Sequence, residues 1–325
     1  MRLIVVGLGA IGGVVGAGLH QAGHDVTFIA RGRQFETVRE QGLMVDSSYG
    51  RGVVQAKVTN QLTAESLLAA DAVLVAVKSQ DTYSVFSDLT ALTTGLRIVC
   101  LQNGVANEAL FARAYVDVYG AYIHCPSSYT KPGIVAAYGM PVTGIIDVGR
   151  FPVGGDPFAA ALSDSLRAAG FASRALRDVS RWKYGKLVRN LTNALDAACQ
   201  QDDGAFAELV DRLYDEGAAV LQAASVTYAS LWELSARQEE VGFRLTRESD
   251  GSSSWQSLVR HSRLETIFLN GEIIALGQRY GVPTPANQVI QSAVLELERN
   301  GDTPRSCTST QLLGDYRRLA SQQMR

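Results

Sequence analysis

The six residues Gly7-Leu8-Gly9-Ala10-Ile11-Gly12 constrain this chain more than any other stretch. They follow directly on the apolar run Leu3 to Val6. They also open a helical pattern, Gly12 to Ala22, that leads to a second apolar run, Val26 to Ala30. A strand, a glycine turn and a helix in that order begin a β-α-β unit of the dinucleotide-binding kind. In such a unit Gly7 permits the tight turn, Gly9 lets a pyrophosphate approach the backbone, and Gly12 lets helix pack on strand. The free N–H groups and positive dipole end of the helix then hold the phosphates. Met1-Arg2 followed by apolar residues through Leu19 also has the profile of a signal peptide. Glycines placed for a phosphate turn argue against that reading, because an apolar leader has no need of them.

Two more apolar runs, Ala72 to Val77 and Arg97 to Leu101, alternate with helix-like segments. Continuous apolar strands of this kind belong to a parallel sheet covered on both faces. Between Tyr115 and Gly154 the texture changes, and Gly133-Ile134-Val135 and Val142 to Ile146 predict antiparallel strands that finish the sheet. From about Asp178 onward the spacing turns helical, over Arg181 to Ala198, Phe206 to Ala224 and Leu264 to Tyr280. Gly281 and Pro283 stop the last of these. The polar stretch Arg247 to Ser254 reads as a loop or helix start, and the tail after Asn300 as loosely held. The expected architecture is therefore α/β, an N-terminal Rossmann-type dinucleotide-binding domain (1–177) followed by an all-helical C-terminal domain (178–325).

A formal net charge of -2 and no basic run exclude a general nucleic-acid binder. No segment offers roughly 18 uninterrupted apolar residues, so no membrane span is expected. Cys100, Cys125, Cys199 and Cys307 lie far apart without a CxxC, and the 4 histidines form no ligand pattern. These features suit reduced thiols in a cytoplasmic protein without a metal site. The assembly state is open, with a homodimer as one possibility.

The end of the second strand bears on cofactor choice. NAD enzymes place an acid there, about 20 residues past the glycines. Here Arg31 takes that place, followed by Gly32 and Arg33, while Asp25 sits at the wrong end of the strand. An arginine fork suits a 2′-phosphate, which points to NADP(H); two solvated loop arginines are the competing reading. Lys78 and Asn103 follow the third and fourth apolar runs, at strand ends where ligands bind. Farther on, Lys186, Asn190 and Asn193 stand at i, i+4 and i+7, within roughly 60° of one another around a helix. Two asparagines beside a lysine on one stripe fit either a solvated face or a substrate-binding face.

Taken in order, GLGAIG, Arg31, Val77-Lys78, Gln102-Asn103-Gly104, the Trp182-containing helix with Lys186 and Asn190, and Glu265 before Asn270-Gly271 resemble the ketopantoate reductases (2-dehydropantoate 2-reductases). The likeness covers nearly the whole chain. It implies NADPH-dependent reduction of ketopantoate to pantoate, a small 2-oxo acid substrate, and a place in pantothenate biosynthesis. It further implies that Lys186 donates a proton to the carbonyl oxygen and that Glu265 lies near the nicotinamide ribose and the lysine. Asn190, Asn193 and Ser253 would hold the substrate. Lys78, Asn103 and the backbone of Cys125 would line the cofactor. The chain departs from the family in four places. Asn193 comes three residues after Asn190 rather than four, so either it or Ala194 fills the second asparagine slot. Asp203 and Asp250 stand where asparagines are common, and Ser257 replaces an Asp. Two acids beside a substrate carboxylate would oppose ketopantoate, so either both point away or the substrate differs. A reductase of another 2-oxo acid, a relative of the 6-phosphogluconate or opine dehydrogenases, and an NADPH-sensing protein without chemistry are the alternatives.

Overall fold

The computed structural model describes residues 1–47, 50–201, 204–247 and 250–323. The chain divides into two compact units, Met1–Lys183 with Trp232–Glu248, and Tyr184–Leu231 with Ser249–Arg325.

The first unit is built on an eight-stranded sheet. In spatial order its strands are Ala175–Leu176, Ile145–Arg150, Asp117–His124, Arg97–Cys100, Ala72–Val75, Arg2–Val6, Asp25–Ile29 and Lys57–Thr59. Neighbours pair in parallel except where Ile145–Arg150 runs against Asp117–His124. Leu3 and Val5 enter one apolar cluster while Ile4 and Val6 enter another, and Leu74 is split from Val73 and Val75 in the same way. Alternate side chains of a strand point to opposite faces, so strands without polar residues require cover on both. From Arg2–Val6 the chain moves to a neighbour on one side and later returns on the other. Strand order thus reverses beside the glycine turn, the position at which open α/β sheets take ligands.

A second, four-stranded sheet orders Gly50–Val54, Leu43–Ser47, Ile134–Ala137 and Ser127–Lys131. This corrects one expectation. Ile134 and Val135 do not finish the main sheet; they pair in parallel with Met44 and Val45. Of residues 142–146, Ile145 and Ile146 open the strand Ile145–Arg150, which joins the main sheet antiparallel to Asp117–His124. Helix Ala10–Gln21 is packed on both sides. A Cβ on Gly16 would lie 2.3 Å from the Phe28 ring of the main sheet, and one on Gly13 would lie 2.8 Å from Val135 of the small sheet. A helix enclosed in this way is apolar all round, which accounts for the leader-like profile of the first twenty residues.

Residues 232–248 return to the first unit. Arg244–Leu245 pairs antiparallel with Gly139–Met140, and helix Leu231–Glu240 is held by a buried ion pair. Arg237 donates from Nε and Nη2 to the two oxygens of Asp147, both at 2.8 Å, and Asp147 is 0% exposed. The backbone N–H of Arg174 gives Asp147 a third bond at 3.0 Å.

The second unit is helical among its described residues. Its helices include Thr192–Ala198, Gly204–Ala223, Ser253–Val259, Asn270–Tyr280, Pro285–Asn300 and Ser309–Gln323. Leu213, Val220, Leu221, Ile273, Ile290 and Val294 are all fully buried and form its core. Gly281 closes Asn270–Tyr280 in the left-handed conformation at φ 72, as its place in the sequence predicts. Two expectations are corrected. The stretch 181–198 is two helices, Val179–Asn190 and Thr192–Ala198, joined at Leu191. The tail after Asn300 is no loose end, since Ser309–Gln323 is a helix with Leu312 and Leu313 buried.

Arg174 Nε also lies 3.5 Å from Asp147, so removing Arg237 leaves the buried carboxylate with only part of its compensation. Arg237→Met should lower unfolding free energy by about 3 kcal/mol, measured by urea denaturation. The double change Asp147→Leu, Arg237→Met should recover much of the loss. A single variant as stable as the parent would contradict the anchoring role.

Candidate functional site

In the first unit the glycine turn has the geometry its spacing predicts. Gly7 has φ +104, and a Cβ there would lie 2.7 Å from Val77 N. A Cβ on Gly12 would stand 2.0 Å from the carbonyl oxygen of Gly7. Both positions therefore exclude side chains for reasons internal to the fold. Gly9 differs: nothing lies within 4 Å of where its Cβ would be. It is the N-cap of Ala10–Gln21, with no side-chain cap and no acid in the first turn. Open space in front of uncapped helix N–H groups fits a phosphate. Leu8, Ala10 and Ile11 complete this turn. Gln34, which sequence reasoning passed over, pins it. Its Nε2 donates to the Leu8 carbonyl at 2.9 Å and its Oε1 accepts from Gly133 N at 2.7 Å.

Arg31 is the N-cap residue of helix Gly32–Gln41. Its side chain is 71% exposed and its guanidinium bonds the Asp88 carboxylate at 2.9 Å. Lys78 is half-buried and its carbonyl accepts from Asp81 N at 2.9 Å, just past the strand Ala72–Val75. Asn103 follows Arg97–Cys100, and its carbonyl accepts from Asn107 Nδ2 at 3.1 Å. Behind it, Gln102 Nε2 donates to Thr82 Oγ1 at 2.7 Å and Thr82 donates to Asn107 Oδ1 at 2.8 Å. This buried network fixes the backbone at the strand end. Cys125 is buried, its carbonyl accepting from Ser127 Oγ at 3.1 Å.

Two lysines stand three residues apart, and the structure separates them. Lys183 is 6% exposed and belongs to the first unit, where it forms an ion pair with Glu108 and donates to the Gln102 carbonyl at 3.0 Å. Burial pushes the nearby Cys100 thiol well above its ordinary value, and the Glu108 charge adds to the shift. Lys183 is thus committed to holding the strand end. Lys186 lies in the second unit and is half-buried.

In the second unit Asn190 is 9% exposed at the end of its helix, and Asn193 is half-buried at the start of the next. Ala194 is 1% exposed, so its side chain belongs to the core. Asn193 Nδ2 donates to Ser253 Oγ at 3.3 Å. The helix Ser253–Val259 is placed by its neighbours. Ser252 caps it, with Oγ accepting from Trp255 N at 3.2 Å and donating to the Asn193 carbonyl at 2.9 Å. Asp196 Oδ2 accepts from Ser252 N at 2.6 Å and Asp196 Oδ1 from Arg305 at 2.7 Å. Burial alone would raise the Asp196 carboxyl, but these bonds outweigh it and hold the group below its usual range. Glu265 is half-buried, its carbonyl accepting from Phe268 N at 2.8 Å. Asp250 is exposed, its carbonyl bound by Arg305 at 2.9 Å. Asp203 lies outside the described residues.

Comparison with known proteins agrees over both units. Residues 3–152 match the family described as ketopantoate reductase PanE/ApbA, and residues 178–298 its C-terminal part. A 2-dehydropantoate 2-reductase of Archaeoglobus fulgidus is 31% identical over 307 residues, covering 91% of this chain and 98% of the relative. One of Pyrococcus horikoshii is 26% identical over 310 residues, covering 93% and 99%. A crystal structure of a PanE/ApbA family ketopantoate reductase from Ralstonia eutropha superposes with TM-score 0.79 at 26% identity, covering 93% of this chain and 99% of that one. A D-mandelate dehydrogenase solved with NADH and anilino(oxo)acetate reaches TM-score 0.81 over 93% of this chain and 100% of that one. At 21% identity it speaks for the fold alone.

The two outer glycines and Gly9 should separate on mutation. Gly9→Ala meets no protein atom, so stability should change by less than about 1 kcal/mol, while dinucleotide affinity by titration should fall by about tenfold or more, or 1.4 kcal/mol. Gly12→Ala should destabilise the fold itself. Equal dinucleotide affinity in Gly9→Ala and parent would contradict the phosphate assignment.

Proposed function

The chain belongs to the ketopantoate reductase family, and from that premise we propose that it reduces the ketone of 2-dehydropantoate to pantoate with NADPH, with Lys186 as proton donor. It is an oxidoreductase that uses a nicotinamide dinucleotide. The observation that carries the substrate reading is the Asn193–Ser253 pair. These residues lie 60 apart in sequence yet stand 3.3 Å apart, and both are of the type that binds a small carboxylate without adding charge. Four cysteines without a disulfide fit a reducing cytoplasm. Among the described residues no helix is long and apolar enough to cross a membrane.

Bound nicotinamide supplies the hydride. The protein's share is to hold the dinucleotide at Gly7 to Gly12, to orient the 2-oxo acid, and to manage one proton. As hydride reaches the carbonyl carbon, negative charge grows on the oxygen, and the Lys186 ammonium stabilises that charge and gives up its proton to it. Asn190 and the Asn193–Ser253 pair supply neutral donors for the carbonyl and carboxylate oxygens. Glu265 orients the lysine. Asp250, exposed and tethered through its carbonyl, does not oppose a substrate carboxylate on this reading, which favours ketopantoate over a cationic substrate.

Lys186→Ala should lower kcat by about 10²–10⁴-fold, the usual share of general acid catalysis, with NADPH affinity unchanged. Ketopantoate-dependent oxidation of NADPH is the assay; near-parental turnover in the variant would remove Lys186 from the role. Arg31 sets cofactor preference. Its exposed pair with Asp88 is worth less than about 1 kcal/mol, so a 2′-phosphate can take the guanidinium from it. Arg31→Ala should cut the preference for NADPH over NADH by about 1.5–3 kcal/mol, and Asp88→Asn should leave or enlarge it. Equal affinities for the two cofactors in the parent would overturn the assignment.

A further inference from the structure

On an unbroken α-helix Asn193 would stand about 60° round from Asn190, and here it bonds Ser253. The backbone at Leu191 accounts for this. Leu191 has φ -59 and ψ -30, angles that a 3₁₀ turn and an α-helix share, and its hydrogen bond decides between them. Its N–H bonds the Val188 carbonyl, three residues back, at 3.2 Å, and the Thr192 hydroxyl donates to the Arg189 carbonyl at 3.3 Å. In a 3₁₀ turn residues i and i+3 eclipse, whereas in an α-helix the match falls nearer i+4. The tightened turn therefore replaces the missing residue. It brings Asn193 toward the direction of Asn190 and sends Ala194 into the core.

A tightened turn needs something to hold it, and a buried polar chain reaches this one. Asn270 Nδ2 donates to the Leu191 carbonyl at 3.0 Å and to Asn287 Oδ1 at 3.0 Å. Asn287 Nδ2 donates to Glu216 Oε2 at 2.8 Å. Glu216 also accepts from the backbone N–H groups of Ala286 and Asn287 at 2.7 and 2.9 Å, capping helix Pro285–Asn300 from another helix. Asn270 and Asn287 are both 0% exposed. The direction of every bond follows from Glu216. A carboxylate only accepts, so Asn287 must turn its NH₂ toward it and its oxygen toward Asn270. Asn270 must then present its NH₂ to both Asn287 and Leu191. Two buried amides are costly where apolar side chains would pack, which argues that the donor at Leu191 is what they are kept for. Leu191 Cδ1 lies 2.9 Å from where a Cβ on Gly217 would be, so its side chain is packed closely against helix Gly204–Ala223.

We propose that Asn270 and Asn287, oriented by Glu216, are positioning residues for substrate binding: they fix the turn at Leu191 and through it the pairing of Asn193 with Ser253. This rests on the reading of Asn193 and Ser253 as substrate-holding residues, and predicts a defect in KM for the 2-oxo acid more than in kcat or in cofactor binding.

The experiment measures kcat, KM and NADPH affinity for the parent, Asn270→Leu and Asn270→Asp, with amide hydrogen exchange of residues 187–199 in each. In Asn270→Leu, KM for ketopantoate should rise by about tenfold, the loss of roughly 1.4 kcal/mol, with NADPH affinity unchanged and faster exchange confined to the turn. In Asn270→Asp the ionised carboxyl faces two oxygens, so KM should be high at alkaline pH. It should recover as pH falls, when the protonated group donates to Leu191 again; the parent should show no such recovery. Asn270→Asp serves alone should Asn270→Leu not fold. Parental KM in both variants, or a KM defect in Asn270→Asp that does not change with pH, would overturn the proposal. A parent inactive on ketopantoate would instead overturn the substrate reading. The exchange data, and KM for whichever 2-oxo acid the parent reduces, would then still decide the role of Asn270.

Discussion

The first unit depends on how closely helix Ala10–Gln21 lies against the strands around it. Gly12 meets the Gly7 carbonyl, Gly16 meets Phe28 and Gly13 meets Val135, each at a distance where a Cβ would collide. This contact aims the helix N-terminus past Gly9 into open space, and it presses a second sheet onto the helix's far side. Side chains at these glycines would push the helix outward, costing several kcal/mol through strain and lost packing. The open, uncapped helix N-terminus and the layered core are thus consequences of one set of absent side chains.

That constraint was legible in the sequence because it is local. A glycine spacing, an apolar strand and a helical period all fall within thirty residues, as do Gly281 after the helix Asn270–Tyr280 and the strand ends that carry Lys78 and Asn103. The small sheet was not legible for the opposite reason. Leu43–Ser47 pairs in parallel with Ile134–Ala137, some ninety positions away, and no local pattern announces a parallel partner at that range. Residues 232–248 return to the first unit through the short strand Arg244–Leu245 and the buried pair of Arg237 with Asp147, and arginine in an amphipathic helix reads as solvated until its partner is known. The Arg31–Asp88 contact also joins residues 57 positions apart.

The candidate site divides along the same line. The stripe of Lys186, Asn190 and Asn193 follows from helical spacing, but the spacing alone left Asn193 and Ala194 competing for one position. The turn at Leu191 separates them, and its cause lies at Asn270, Asn287 and Glu216, far off in the chain. Helical spacing also picks Lys186, on the stripe with Asn190 and Asn193, and the fold gives Lys183, one turn earlier, other partners. Lys183 is paired with Glu108 and the Gln102 carbonyl.

The central claim is that this chain carries hydride from a nicotinamide to the carbonyl carbon of ketopantoate. Stereospecifically 4-deuterated NADPH tests it directly, with the product analysed by mass spectrometry and proton NMR. The account predicts pantoate carrying one deuterium at C2 from one of the two labelled epimers and none from the other. Pantoate without label from either epimer, or no pantoate at all while another 2-oxo acid gains the deuterium, would contradict it.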